Sequence, residues 1–581
     1  MTVAGVFVGL ILFLIIGPMI LISNLMSQAT RAPPMPSEIV LSLDLREDMA
    51  DQPSSANGDI FGGGLNLLET LTTLDAAGDD PRVRGLYIRG NTTGMPGAQA
   101  QELADAIEAF EQTGKFVIAH LQYDGVRSSM AGYLAAAPAT EIWLQEVGEV
   151  MPMGLTAEVD FYGATLDRFR ISAEVEAREE YKTFANIFTE EGFTEAHEEE
   201  TRSLLDGLYG SLADSIALYR GLTADQVRAA IEATPMAAAR ALELGLITHT
   251  GRPEDAERAA LERGGAGAEL VDFEDYFPRE QGGSRPVVAV VQGEGEIISG
   301  LPDDGLFADV AMNSDTVARA LLDAAEDEDV VAIVFRVSSP GGSVVASDQI
   351  LHALRYAREQ GKRIVVSMGD VAASGGYYVS AEADEIVANP ATITGSIGVV
   401  GARLAFGGAM EEYLSVQTEA VSIGSPLHNW FTASRPFTEQ EAAAFSSMID
   451  RMYGEFMGLV AAGRGLTAEQ TREVARGRVW TGGQARERQL VDHLGGFRVA
   501  VARAKALANI GEDQEVELRF FPTPLSPLEE LQEFFGVGGS AAQGLVRLSR
   551  VFADPRFARA VAIAGQEQSP AQARAATPDV R

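Results

Sequence analysis

The stretch "VVAIVFRVSSPGG" (330–342) is a run of apolar, mostly β-branched residues that stops in Ser-Ser-Pro-Gly-Gly. Such a run reads as a buried strand, and the Pro-Gly-Gly as the turn that closes it, because proline fixes one dihedral and glycine opens positive φ to the backbone. The same pattern occurs earlier as "VRGLYIRGNTTGMPG" (83–97), with Arg89 under Arg336 at an offset of 247. "GKFVIAH" (114–120) lies under "GKRIVVS" (361–367) at that offset. After a three-residue difference in a connecting loop the offset becomes 244 and holds. "AGYLAAAPATEIWL" (131–144) matches "GGYYVSAEADEIVA" (375–388), "FTEAHEEE" (193–200) matches "FTEQEAAA" (437–444), and "RGLTADQ" (220–226) matches "RGLTAEQ" (464–470). Chance does not hold an offset over so many blocks, so the chain is a tandem duplication, with its seam near "FPREQGGSRP" (277–286).

Within each copy, short apolar runs alternate with helical stretches such as "DQILHALRYAREQG", which predicts parallel strands with crossover helices, an α/β fold. Four regions are expected: 1–30 as an N-terminal anchor and the start of a tether, 31–280 as the first repeat, 281–521 as the second, and 522–581 as a partly disordered extension. The segment "VAGVFVGLILFLIIGPMILISNLM" (3–26) carries no charge and is long enough to cross a bilayer. It has no basic n-region and no small-x-small cleavage site, so it reads as an uncleaved transmembrane helix rather than a removed signal peptide. The positive-inside rule has almost no charge to count here. "APPMP" then stiffens the tether.

The formal net charge of −38 argues against nucleic acid as a partner. With no cysteine in the chain, disulfides, thiolate metal sites and cysteine nucleophiles are excluded. The six histidines are scattered without metal-ligand spacing, so neither a metal nor a cofactor is expected.

In "GDVAASGGYYVS" (369–380) a single hydroxyl, Ser374, stands among Ala and Gly before a helical run. It is either a helix N-cap or a nucleophile. Its counterpart in the first copy is Met130, so the fold does not require the hydroxyl. Small neighbours and the positive end of a helix dipole suit a nucleophile. Gly341 and Gly342 in "SSPGGSV", with the N–H of Gly375, could supply an oxyanion hole. The first copy has "TTGMPG" in place of that loop.

A base is then required. His352 is available for a Ser-His arrangement but reads as an ordinary helix residue. The chain has only four lysines, Lys115, Lys182, Lys362 and Lys505, against 45 Lys plus Arg. Lys115 and Lys362 are repeat counterparts in "GK" turns, and Lys505 has no motif around it. Lys182, in "REEYKTFANIF", faces Pro426 in the other copy. It is either an exposed loop lysine or a buried base of lowered pKa, a role arginine cannot fill. One copy keeping the serine and the other the lysine implies one site per chain, built between the halves.

These motifs resemble those of the signal peptide peptidase A (protease IV) family in its long, duplicated, membrane-anchored form. "RVSSPGGSV", "DVAASGGYYVSAEADEIVANPATITGSIGV" and "YKTF" carry the resemblance, over roughly residues 38–520. It implies a Clp protease/crotonase-like fold in each repeat and a serine-lysine dyad with Ser374 as nucleophile and Lys182 as base. It also implies oxyanion donors at Gly341, Gly342 and Gly375, and a serine that positions the lysine at Ser396. In the first copy Met153 or a near neighbour stands opposite Ser396. The implied substrates are cleaved signal peptides and similar apolar peptides. The implied assembly is a homotetramer in the bacterial inner membrane, with its catalytic part outside the cytoplasm. The competing readings are a crotonase-like acyl-CoA enzyme and an inactive scaffold.

Overall fold

The computed structural model describes residues 35–46, 49–52, 65–90, 94–122, 129–150, 152–278, 285–301 and 310–522. The expected anchor at 3–26, most of the extension from 522 and the centre of the 277–286 seam lie outside these residues. Among the described residues, no helix is long and apolar enough to cross a membrane.

Two parallel sheets carry the fold. The first runs, edge to edge, His249–Thr250, Glu141–Leu144, Phe116–Leu121, Val83–Gly90, Ile39–Leu45 and Glu269–Asp272. The second repeats this order as His493–Leu494, Glu385–Ala388, Arg363–Ala373, Val330–Ser339, Val287–Glu294 and Glu517–Phe521. Every pairing along both paths is parallel. The chain is therefore a duplicated α/β fold.

The copies also agree in detail. Helices Glu195–Arg220 and Glu439–Arg464 are both 26 residues long. Each starts at a threonine, Thr194 or Thr438, whose side chain caps the first turn, and each stops at a left-handed glycine, Gly221 or Gly465, at φ 64°. Lys115 Nζ donates to the carbonyls of Ala77 and Asp80 at 2.5 and 2.6 Å, and Lys362 Nζ to those of Asp327 and Val330 at 2.7 Å each. Both "GK" lysines thus pin a turn to the end of a helix.

The copies differ where the second sheet grows. Arg363–Ala373 has 11 residues against 6 in Phe116–Leu121. Its extra length takes on Ile393–Gly395 in parallel, and Val479–Thr481 then pairs antiparallel with that short strand. The register between Val330–Ser339 and Arg363–Ala373 shifts at Val337/Ser339, just before the Pro-Gly-Gly turn.

The second sheet is buried on both faces. Val287, Ala289 and Val291 pack with the second repeat's own core, while Val288 and Val290 join the core of the first repeat. Arg336 sits at this seam, fully buried. It donates from Nη1 to Glu102 at 2.8 Å and to Ser367 Oγ at 3.0 Å, and forks onto Asp51 through Nε at 2.9 Å and through Nη2. Asp51 and Glu102 come from the first repeat, so one guanidinium ties the halves together.

Candidate active site

The extended strand Arg363–Ala373 delivers Ser374 to the mouth of a cavity of about 790 Å³. Ser374 holds φ 53° and ψ −115°, a conformation that costs a non-glycine residue roughly 1–3 kcal/mol. Its N–H donates to Gly395 O at 2.9 Å and its carbonyl accepts from Tyr378 N at 2.9 Å, which together hold the sharp turn. The residue stands in the N-cap position of helix Gly375–Ser380, yet its side chain makes no capping hydrogen bond. The hydroxyl instead meets Lys182 Nζ at 3.1 Å.

Lys182 comes from the first repeat, at the entry to the short helical turn Thr183–Ala185. Only 8% of it is exposed. Besides Ser374, its Nζ donates to Ser396 O at 3.0 Å and Ser396 Oγ at 2.9 Å. Burial pushes its pKa down from 10.5 to about 8, and the charge of Glu200 opposes that shift. Ser396 is set by its own left-handed backbone, φ 49°, and by its N–H, which donates to Arg478 O at 2.8 Å. The antiparallel partner strand of Ile393–Gly395 thus fixes the group that holds the lysine.

The Pro-Gly-Gly loop packs against the serine turn. Gly341 is at φ 108°, and a Cβ there would lie 2.7 Å from Gly375 N and 2.8 Å from Ser374 Cβ. Gly342 is at φ 150° and bridges Ile297, whose N–H donates to Gly341 O and whose carbonyl accepts from Ser343 N, both at 2.8 Å. In that parallel pairing the N–H of Gly342 points away from Ile297. The N–H of Gly341 donates to Ser339 Oγ at 3.1 Å. The N–H of Gly341 is thus engaged within the loop, and its lack of a Cβ lets the loop lie against the Ser374–Gly375 turn.

The rest of the cavity is largely apolar, with Val344, Val371, Tyr378, Ile393, Val399 and Phe456 among its walls. His352 is exposed on its helix and does not line the cavity. Lys505 Nζ is elsewhere, donating to Glu512 O at 2.6 Å. Among the described residues, no group of three or more His, Asp or Glu side chains is placed to hold a metal ion.

Two residues at the site carried no sequence signal. Glu200 is buried, its pKa pushed up to about 7 chiefly by that burial. It sits in the acid-rich run "TEEGFTEAHEEE", which reads as a solvated helix face. At Gly477, φ 83°, a Cβ would lie 2.5 Å from Lys182 N. A lone glycine between two arginines gives no hint that another backbone passes so close.

Comparison with known proteins gives a consistent result. The family model described as "Peptidase family S49" matches residues 109–266 and 356–511, one segment in each repeat. The chain is similar to "Serine protease SPPA, chloroplastic" of Arabidopsis thaliana, at 28% identity over 86% of this chain and 73% of that protein. It is similar to "Protease 4" of Salmonella typhi, at 30% identity over 81% of this chain and 78% of that protein. Over 37% of this chain and 62% of that protein, it is 31% identical to "Putative signal peptide peptidase SppA" of Enterococcus faecium.

Proposed function

Because the chain belongs to peptidase family S49 and is a serine peptidase, we propose that it cleaves apolar, signal-peptide-like peptides with Ser374 as nucleophile and Lys182 as general base. The observation that carries this reading is the 3.1 Å contact between Lys182 Nζ and Ser374 Oγ, made across the two repeats. The first repeat (31–280) supplies the base, and the second (281–521) supplies the nucleophile and the oxyanion loop.

A neutral lysine amine has two hydrogens and one lone pair. The carbonyl and hydroxyl oxygens of Ser396 take the two hydrogens, which turns the lone pair toward the Ser374 hydroxyl. With its pKa near 8, a useful fraction of Lys182 is neutral near neutral pH. Lys182 takes the Ser374 proton as the oxygen attacks the scissile carbonyl. The N–H groups of Gly342 and Gly375 hold the developing oxyanion. Lys182 then hands the proton to the leaving amine, draws one from the water whose oxygen attacks the acyl-enzyme, and returns it to Ser374 Oγ as the ester bond breaks.

The apolar walls of the cavity suit an extended apolar peptide. A signal peptide is such a chain, and the Enterococcus faecium relative carries the name of a signal peptide peptidase. Segment 3–26 serves as a single-pass anchor in the bacterial inner membrane, with the catalytic part outside the cytoplasm and the chains assembled as a homotetramer. The test is cleavage of a fluorogenic signal-peptide-like substrate by wild type, Ser374→Ala and Lys182→Met. Both variants are expected to fold and to be inert, and an active Lys182→Met overturns the base assignment.

A further inference from the structure

We infer that Glu200 is a positioning residue for the general base, a carboxylate that fastens the lysine segment of the first repeat to the strand of the second repeat that holds Ser396. This rests on the Ser374/Lys182 reading above and extends it.

The two oxygens of Glu200 are used in different directions. Oε1 accepts the N–H of Val479 at 2.7 Å, and Oε2 accepts the hydroxyl of Thr183 at 3.2 Å. Thr183 directly follows Lys182 in the chain. Val479 pairs with Gly395, the residue before Ser396, and Gly395 O accepts the N–H of Ser374 at 2.9 Å. One buried carboxylate thereby links the base to the backbone that orients both its partner serine and the nucleophile. It is 4% exposed, and it lines the same cavity as Lys182 and Ser374.

The bridge also places a charge beside the amine. The charged or titratable groups around Glu200 are Lys182, Arg478 at the entry to strand Val479–Thr481, Tyr181 next to the lysine, and Glu199 and His197 on its own helix. Arg478 donates to Glu199 at 2.9 Å, as Tyr181 does, so Glu199 and Arg478 largely answer each other. The charge acting on Lys182 is that of Glu200, which raises the lysine pKa against the larger effect of burial. Burial raises the Glu200 pKa and lowers that of Lys182, so the two groups titrate in neighbouring ranges and the carboxylate's charge is felt as the amine loses its proton. Removing that charge must move the acid limb of the activity profile to lower pH.

The experiment measures kcat and kcat/KM against pH for the full chain on one fluorogenic apolar peptide, in wild type, Glu200→Gln, Glu200→Asp, Glu200→Ala and Lys182→Met. Glu200→Gln is expected to shift the acid limb to lower pH. Glu200→Asp keeps the charge but shortens the reach, so its limb is expected to stay in place while kcat falls. Glu200→Ala loses the bridge, and kcat is expected to fall about 10²-fold with KM changed far less. An acid limb in Glu200→Gln that superimposes on wild type overturns the proposal, as does wild-type kcat in Glu200→Ala. If Glu200→Gln does not fold, the limb position in Glu200→Ala, which also lacks the charge, decides in its place. An active Lys182→Met removes the dyad reading and this proposal together. An inert Lys182→Met with an unmoved Glu200→Gln profile removes this proposal alone.

Discussion

The amine of Lys182 lies 3.1 Å from the hydroxyl of Ser374 although 192 positions of sequence separate them. Both are held by one short stretch of the second repeat: Ser374 N–H donates to Gly395 O, and Lys182 Nζ donates to the adjacent Ser396. The strand Ile393–Gly395 therefore anchors both members of the pair.

Lysine at this position is expected to be irreplaceable by arginine. Guanidinium keeps its proton at any working pH, so Lys182→Arg should be as inert as Lys182→Met, at least ~10³-fold below wild type in kcat/KM. Steady-state cleavage by purified variants checks this, with circular dichroism to confirm folding. A Lys182→Arg enzyme within tenfold of wild type would refute a neutral-amine base.

Burying the amine should cost stability. The folded chain releases the Lys182 proton near pH 8 and the unfolded chain near 10.5. Between those values the unfolded state binds more protons, so stability attributable to this group rises with pH across the window. Below pH 8 the penalty is on the order of 3 kcal/mol. Lys182→Met is therefore expected to melt higher than wild type at pH 7 while having no activity, and the gap should narrow toward pH 10.5. Paired thermal melts at the two pH values read it directly.

The Pro-Gly-Gly loop has no room for a methyl group. Gly341→Ala would set a Cβ 2.8 Å from Ser374 Cβ while demanding φ 108° of an alanine. The loop should withdraw and carry the Gly342 N–H out of reach, lowering kcat by about 10²–10³-fold with little change in KM. Kinetics on the same peptide, beside a melt, separates this from unfolding.

Arg336 neutralises carboxylates that cannot reach water. Replacing it by methionine leaves Asp51 and Glu102 buried without their partner, and should destabilise the chain by about 3–5 kcal/mol. Urea denaturation followed by tryptophan fluorescence measures this. A loss below about 1 kcal/mol would show that the acids relax or protonate at little cost.

Much of the architecture was legible because duplication writes its own control. Met130 opposite Ser374 and Pro426 opposite Lys182 mark positions where the fold does not demand the same residue in both copies. The helix caps at Thr194 and Thr438 and the turn lysines Lys115 and Lys362 show the reverse, identical residues doing identical structural work. What stayed hidden depends on contacts between distant segments. Nothing local distinguishes Glu200 from the acids around it, because its backbone partner is the N–H of Val479, 279 positions away. The strands Ile393–Gly395 and Val479–Thr481 have three residues each, too short for any periodicity. That Gly341 gives its N–H to Ser339 depends on a side-chain rotamer, which a motif does not record.

A site divided between the copies, as proposed, would act as an evolutionary ratchet. With Met130 opposite the proposed serine and Pro426 opposite the proposed lysine, each half would be the other's missing part. A one-copy enzyme would need the lysine in the repeat that already carries the serine turn and the glycine loop. On that reading neither copy could be deleted without taking half of the site with it.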